Sequence, residues 1–144
     1  MPSKSETILN ALADRLRGIP GTRAERNTAV PERIPAGGLI VLRDGDPGEP
    51  ERVLGGFRPA YYSHAVEIEV YVEEGDPSVR DTAFDALVQA IGGVLDEDPT
   101  LGGLAFGMTY GRPEIDTEVI EGGAAIKTGT ITVTVEYESP SALG

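Results

Sequence analysis

The chain has no cysteine and only one histidine, and these shortages remove whole classes of chemistry. Disulfides, thiolate catalysis and cysteine-ligated zinc are excluded together, and one histidine cannot form a multi-histidine metal site within one chain. No apolar run approaches the roughly 20 residues that a membrane helix needs. We therefore expect a soluble protein that is made in a cytosol, holds no cofactor and makes no membrane contact.

Positive charge is also scarce. The sequence has 12 Lys and Arg against 24 Asp and Glu, a net charge of -12. Because affinity for nucleic acid comes largely from clustered Lys and Arg, specific DNA binding is not expected. The negative charge is unevenly distributed along the chain. Residues 1–35 hold six basic and four acidic residues (+2), and residues 36–144 hold six basic and twenty acidic residues (-14). This asymmetry favours head-to-tail association, with solvated acidic surface as the alternative.

Two segments alternate between apolar and polar residues, as strands with one buried face do. The first runs from Tyr61 to Glu73 and the second from Ala124 to Ser139. On the second, one side carries Ile131, Val133, Val135 and Tyr137, and the other carries Thr128, Thr130, Thr132, Thr134, Glu136 and Glu138. We expect the two strands to pair, with helices on the apolar face and a hydroxyl- and carboxylate-rich face left for water or a partner.

Two amphipathic helices are predicted to cover that apolar face. The first is expected to begin at the cap Ser5 and to end at Gly18, and the second to start at Asp76-Pro77 and to reach about Leu95. The expected buried stripe of the first is Ile8, Leu9, Leu12, Leu16 and Ile19. That of the second is Val79, Ala83, Phe84, Leu87, Val88, Ile91 and Leu95, with Arg80 nearer solvent.

The remaining segments are shorter or irregular. About twenty residues from the end of the first helix to Gly38 have no period, which predicts an arm, a strap or a partner-binding loop. Leu39 to Arg43 and Glu51 to Leu54, with a turn rich in Asp, Gly and Pro between them, predict a small hairpin. Gly103 to Tyr110 predicts another strand.

The last two predicted strands form a pair. Glu114 to Glu121 is expected to join the final strand through a tight turn at Gly122-Gly123. The whole pattern predicts an α+β fold in one domain spanning residues 1–144. Its elements are a largely antiparallel sheet, two helices packed on one face, a β-hairpin and a long N-terminal loop.

Candidate catalytic groups are few. Glu67, Glu69 and Glu73 share a strand face and could serve a two-carboxylate hydrolase or a hard-cation site, but no pocket-forming aromatics accompany them, which favours a hydrated or interface surface. His64 stands beside Ser63 and two tyrosines, yet the G-x-S-x-G motif of a nucleophile elbow is absent, which favours a packed or interfacial histidine.

Two acidic clusters resemble fragments of calcium loops. Asp44-Gly45-Asp46 and Asp96-Glu97-Asp98 supply carboxylates, but the spacing of an EF-hand and its closing glutamate are missing. Acidic turns explain both clusters better than a metal site does.

Several segments together resemble the tail-terminator proteins of gene transfer agents and of related long-tailed phages and prophages. The resemblance covers nearly the whole chain. Its segments are Asn27-Thr28-Ala29-Val30-Pro31-Glu32, Gly38 to Gly45, Tyr61-Tyr62-Ser63-His64 leading into Val66 to Val70, Arg80-Asp81, and Asp98 to Gly103.

The resemblance implies a virion structural protein without catalytic residues. Such a protein forms a ring, typically a hexamer, that stops growth of the tail tube and joins it to the head-completion proteins. It would be made in the bacterial host cytoplasm and lie at the head-proximal end of the tail, and its acidic lumen would repel DNA that passes through it. A head–tail connector or stopper is the alternative, and a small hydrolase on the acidic strand face is a weaker one.

The expected subunit or partner interface combines the arginines of the N-terminal loop with the polar side of the first long strand. Its residues are Arg23, Arg26, Arg33, Arg43, Tyr61, Tyr62, Glu67, Glu69 and Tyr71.

Overall fold

Nine helices and strands make up the described part of the computed structural model, which covers residues 2–52, 59–118 and 124–143. In chain order they are α1 (Lys4–Arg17), β1 (Arg23–Arg26), β2 (Leu39–Asp46), β3 (Glu51–Arg52), β4 (Ala60–Glu73), α2 (Pro77–Glu97), β5 (Gly107–Tyr110), β6 (Glu114–Glu118) and β7 (Ile126–Ser139).

Strands β4 and β7 pair along their whole length, as predicted. Fourteen antiparallel register pairs run from Ala60 opposite Ser139 to Glu73 opposite Ile126. At about 3.4 Å per residue the ribbon is about 45 Å long. One face carries the buried side chains Val66, Ile68, Val70, Ile131, Val133, Val135 and Tyr137. The expected division into an apolar and a polar face is therefore confirmed.

The other strands extend this ribbon on both sides into a seven-stranded sheet of order β1-β2-β4-β7-β5. The β1–β2 pair is parallel and the other pairs are antiparallel. Both helices pack on the apolar face, where their buried side chains form one core with those of the strands. The α+β class with two helices on one face is confirmed.

The helix starts follow side-chain capping. Asp76 accepts hydrogen bonds from the backbone N–H groups of Ser78 and Val79, so the predicted start of α2 is confirmed. The predicted cap of α1 is wrong. The side chain of Ser3, not Ser5, accepts from the N–H of Glu6 at 3.1 Å, because α1 already begins at Lys4 and Ser5 lies within its first turn.

The buried stripe of α2 is narrower than predicted. Phe84, Leu87, Ile91 and Leu95 are buried, whereas Val79 is 51% exposed. Ala83 is exposed as well, and Arg80 is half-buried with its Nη1 donating to the carbonyl of Glu74. The cause is helical geometry: at 3.6 residues per turn Val79 points well off the stripe, while Arg80 falls on it.

The N-terminal loop is not wholly irregular. Residues Arg23–Arg26 form β1, an edge strand paired with Leu39 to Leu42 of β2. A four-residue strand of sequence RAER has no apolar alternation, so its pairing with β2, and not a local pattern, makes it a strand.

The predicted hairpin of β2 and β3 is wrong. Both strands run antiparallel to β4, β2 along Ala65 to Tyr71 and β3 along Ala60 and Tyr61. They therefore follow one another along the same edge of β4 and do not pair with each other. The end of the predicted return strand, Val53 and Leu54, lies outside the described residues.

Strands β5 and β6 are likewise placed end to end, along the far edge of β7. The strand predicted over Gly103 to Tyr110 begins only at Gly107, after turns that include the buried Leu101 at φ 52°. The predicted antiparallel pairing of β6 with β7 is confirmed. The Gly122-Gly123 turn lies outside the described residues.

Gly129 shows how closely α2 packs on the central ribbon. It faces the ring of Phe84, and a Cβ added at Gly129 would lie 2.7 Å from that ring. Gly93 in α2 offers the contrast, because nothing lies within 4 Å of an added Cβ there. The two glycines therefore predict opposite effects of the same substitution.

We expect Gly129→Ala to lower the free energy of unfolding by about 1–3 kcal/mol, because the methyl group overpacks the core. Gly93→Ala is the matched control and is expected to raise it by about 0.5–1 kcal/mol, because alanine stiffens an exposed helix. Urea unfolding followed by circular dichroism measures both. Adding Phe84→Leu to Gly129→Ala should recover part of the loss, and a neutral Gly129→Ala would contradict the packing.

Candidate assembly surface

The polar side of the β4–β7 ribbon is the candidate surface, and we call it the outer face. On β4 it carries Tyr61, Ser63, Glu67, Glu69 and Tyr71, and on β7 it carries Thr128, Thr130, Thr132, Thr134, Glu136 and Glu138. The two helices pack on the opposite side. Five of the predicted interface residues therefore lie on this one face: Arg43 of β2 and Tyr61, Glu67, Glu69 and Tyr71 of β4.

Tyr62 lies on the covered side of the sheet. Its ring stacks on that of Tyr137 with centroids 5.4 Å apart, and its hydroxyl donates to the carbonyl of Ala142 at 2.8 Å. Its position follows from the strand period of two, which points Tyr61 and Tyr62 to opposite faces.

Glu69 is held by two donors on the outer face. Its Oε1 accepts from Nε of Arg43 at 3.0 Å and from the hydroxyl of Tyr71 at 2.9 Å. Burial, followed by the hydrogen bond to Glu69, raises the pKa of Tyr71 to about 12. The glutamate is therefore an ion-paired, hydrogen-bonded group, which is unsuited to act as a free general base.

The segment between β1 and β2 folds back as a strap over one end of the outer face. Ile34 packs there with Leu39, Val41 and Ile126 in a small second core. The backbone N–H of Ile34 and Nε of Arg33 both donate to Glu73, at 3.3 and 3.1 Å. The segment was expected to be an arm, a strap or a partner-binding loop, and these contacts are those of a strap.

Arg26 is a structural clamp. Its guanidinium donates to both carboxylate oxygens of Glu6 on α1, at 2.6 and 3.0 Å, and to both of Asp44 on β2, at 2.9 and 3.0 Å. The side chain is only 14% exposed. Arg23 instead points into solvent, 60% exposed, and pairs with Glu25 two residues along.

His64 is buried on the helix side of the sheet. Its Nε2 lies 2.6 Å from the carbonyl oxygen of Asp44, and its Nδ1 lies 2.9 Å from the hydroxyl of Tyr137. A carbonyl only accepts, so Nε2 carries the proton and Nδ1 accepts from the tyrosine. Since Glu67 and Glu69 point to the other face, His64 does not meet these carboxylates.

The described residues also contain no cluster of three or more His, Asp or Glu side chains suited to a metal ion. The two acidic turns therefore do not combine into such a site within residues 2–52, 59–118 and 124–143. None of the helices in these ranges is both long enough and apolar enough to cross a membrane.

Sequence reasoning did not single out Phe106 or the ion-pair partners of the arginines. Phe106 is 64% exposed and stacks on Tyr61 with ring centroids 6.2 Å apart. It lies within the strand predicted over Gly103 to Tyr110, but the structure places it in the bend before β5, and no local pattern indicated its exposure. Glu6 and Asp44 lie far from Arg26 along the chain, and no local pattern links them.

Comparisons with known proteins find structural similarity but no match by sequence. No protein-family model matches the chain, and no curated protein matches its sequence. The chain is similar to one in a solved structure described as "Virion of native gene transfer agent (GTA) particle". The identity is 15%, the match covers 90% of this chain and 94% of that one, and the TM-score is 0.48. A likeness of this size carries no argument about what this chain does.

The Arg26 clamp generates a pH-dependent prediction. The hydrogen bond from Arg26 holds the pKa of Glu6 below its ordinary value of 4.5. Burial raises the pKa of Asp44, but hydrogen bonds with Arg26 and Asn27 outweigh it, so the net pKa lies below the ordinary 3.8. Carboxylates with depressed pKa stabilise the fold above their unfolded values, and this stability is lost as pH falls through the folded values.

We therefore expect Arg26→Gln to lower the urea midpoint at neutral pH and the difference from the unmodified chain to shrink as pH falls below about 4. Arg17→Gln is the control, because Arg17 forms only an exposed pair with Asp14 within α1. Its effect should be small at every pH. A difference for Arg26→Gln that stays constant down to pH 3 would contradict the clamp.

Proposed function

We propose that this chain is a virion structural protein without enzymatic activity, a tail terminator that forms a ring. The ring ends growth of the tail tube and joins the tube to the head-completion proteins. The proposal rests on the resemblance of the segments named above to tail-terminator proteins and on the form of the outer face.

The observation that carries most weight is the outer face itself, which among the described residues the strap covers at one end only. It follows a ribbon of fourteen residue pairs, and its central acids are exposed or tied to neighbouring side chains. A polar sheet face of this length suits contact with other proteins better than it suits a small substrate, which needs an enclosed concave site.

The edges of the sheet support assembly into a ring. One edge is the four-residue β1 and the other is the interrupted pair β5 and β6. Edge strands expose unpaired backbone groups that can pair with a neighbouring chain. Contact between two different edges is heterologous, and repeated contacts of this kind close into a ring when the rotation permits.

The first test is the mass and shape of the assembled protein. We expect native mass spectrometry of the purified chain to show a closed oligomer, and negative-stain microscopy to show rings, with the hexamer as the proposed size. In a producing strain, loss of the protein should give overlong tubes. Normal tails detached from heads would indicate a connector or stopper instead, and a strict monomer at high concentration with no ring on tubes would refute the proposal.

The second test concerns the exposed arginines of the strap and edge. Reversing the charge with Arg23→Glu and Arg33→Glu should weaken assembly more than folding, because both side chains are mostly exposed, 60% and 79%. Arg26 is left unchanged, since its clamp is needed for the fold.

The matched control for each single variant is Arg17→Glu, an equal charge reversal at an exposed position on α1. Sedimentation measures assembly, and urea unfolding measures stability. If the Arg23→Glu and Arg33→Glu variants each assemble like the control, these arginines do not form the subunit contact.

A further inference from the structure

An aromatic pair, the exposed Phe106 and the half-buried Tyr61, occupies the end of the outer face opposite the strap. The rings of Tyr61 and Phe106 stack there, and the backbone N–H of Phe106 donates to the carbonyl of Glu136 at 2.7 Å, which fixes Phe106 at the sheet edge. Together with the loop before β3 they border an open depression of about 400 Å³. Phe106 thus presents an exposed ring, fixed through its backbone, beside this depression.

Four carboxylates lie around this pair, and Lys4 lies near Phe106 and Glu138. Glu49, Glu51 and Glu136 border the depression, and Glu138 lies in the next outer position along β7. Within the described residues none of these four carboxylates forms an ion pair. Glu136 accepts only a hydrogen bond of 3.3 Å from the hydroxyl of Ser63.

The strap end of the same face is different. There Glu69 forms an ion pair with Arg43 at 3.0 Å, and Glu73 forms one with Arg33 at 3.1 Å. Among the described residues, Glu69 and Glu73 at the strap are thus ion-paired, whereas the carboxylates at the aromatic pair are not. A partner that docks at the aromatic pair would supply the missing positive charge.

Aromatic faces next to carboxylates recognise one kind of group. A guanidinium or ammonium can lie over the ring while its N–H groups reach the carboxylates, which combines a cation–π contact with charge-assisted hydrogen bonds. Arginine satisfies both needs best, because its planar guanidinium stacks and donates at once.

A second copy of this chain is a poor source of that group. Its 12 Lys and Arg residues stand against 24 Asp and Glu residues, so each copy carries a net charge of -12. This acidic end of the face attracts a basic segment of another protein more strongly than it attracts a chain of the same negative charge.

We propose that the Tyr61–Phe106 end of the outer face docks an arginine- or lysine-bearing segment of a different protein. This inference depends on the described face alone and not on ring formation, so the two are tested separately. The partner segment places a cationic side chain over the aromatic pair and its charge against Glu136 and Glu138.

Fluorescence anisotropy with the full chain tests the proposal. The probe is a short labelled peptide that repeats Arg, Gly and Leu, and the reference peptide has Gln in place of each Arg. We expect the Arg peptide to bind more tightly. Phe106→Ala should weaken it by about two- to fivefold, the size of an exposed cation–π contact. Glu136→Gln and Glu138→Gln should weaken it by up to about fivefold each.

Matched controls locate the binding. Glu114→Gln makes the same charge change on β6, and Ile115→Ala removes a side chain that is 54% exposed. Glu114 lies opposite Thr130, six residues along β7 from Glu136, or about 20 Å away. Both controls should bind the Arg peptide like the unmodified chain.

Three results would overturn the proposal. The first is equal affinity for the Arg and Gln peptides, and the second is controls that weaken binding as much as Phe106→Ala does. The third is self-association that Phe106→Ala abolishes in sedimentation, because a second copy would then occupy this surface. Thermal unfolding of each variant separates lost binding from lost folding.

Discussion

The antiparallel pairing of β4 with β7 is the constraint on which the other features depend. Its fourteen register pairs decide which side chains enter the core and which reach the outer face. A slip of one residue would turn every side chain of one strand to the opposite face, so the apolar sets of the two strands hold each other in register. The ribbon also provides the edges for β2 with β3 on one side and β5 with β6 on the other.

Electrostatics divides the outer face into two ends. At the strap, carboxylates receive arginines from the same chain, and Ile34 covers a small apolar cluster. At the aromatic pair, carboxylates have no such partner among the described residues, and Phe106 stands in solvent. The carboxylates of the outer face are ion-paired at one end and not at the other. Two ends that differ in charge suit contact with two different neighbours.

Arginine has different roles at different depths in this chain. Arg26 is largely buried, and burying a guanidinium is costly unless carboxylates surround it, as Glu6 and Asp44 do. Arg23 and Arg33 stay in solvent, where an ion pair contributes little to stability and the side chain is available to a partner. Within one short segment, arginine therefore stabilises the fold at one position and lies on the surface at two others.

The sequence by itself determined the long strands, both helices and the polar character of the outer face, because these follow from periods of two and 3.6 that are local to each segment. Only the tertiary structure decided that RAER becomes an edge strand, that β3 extends β2 along β4, that Arg26 joins α1 to β2, and that Phe106 is exposed. Each of these depends on contacts between residues far apart in the chain. A short strand or an ion pair has no period of its own, so its partner exists only once the sheet has formed.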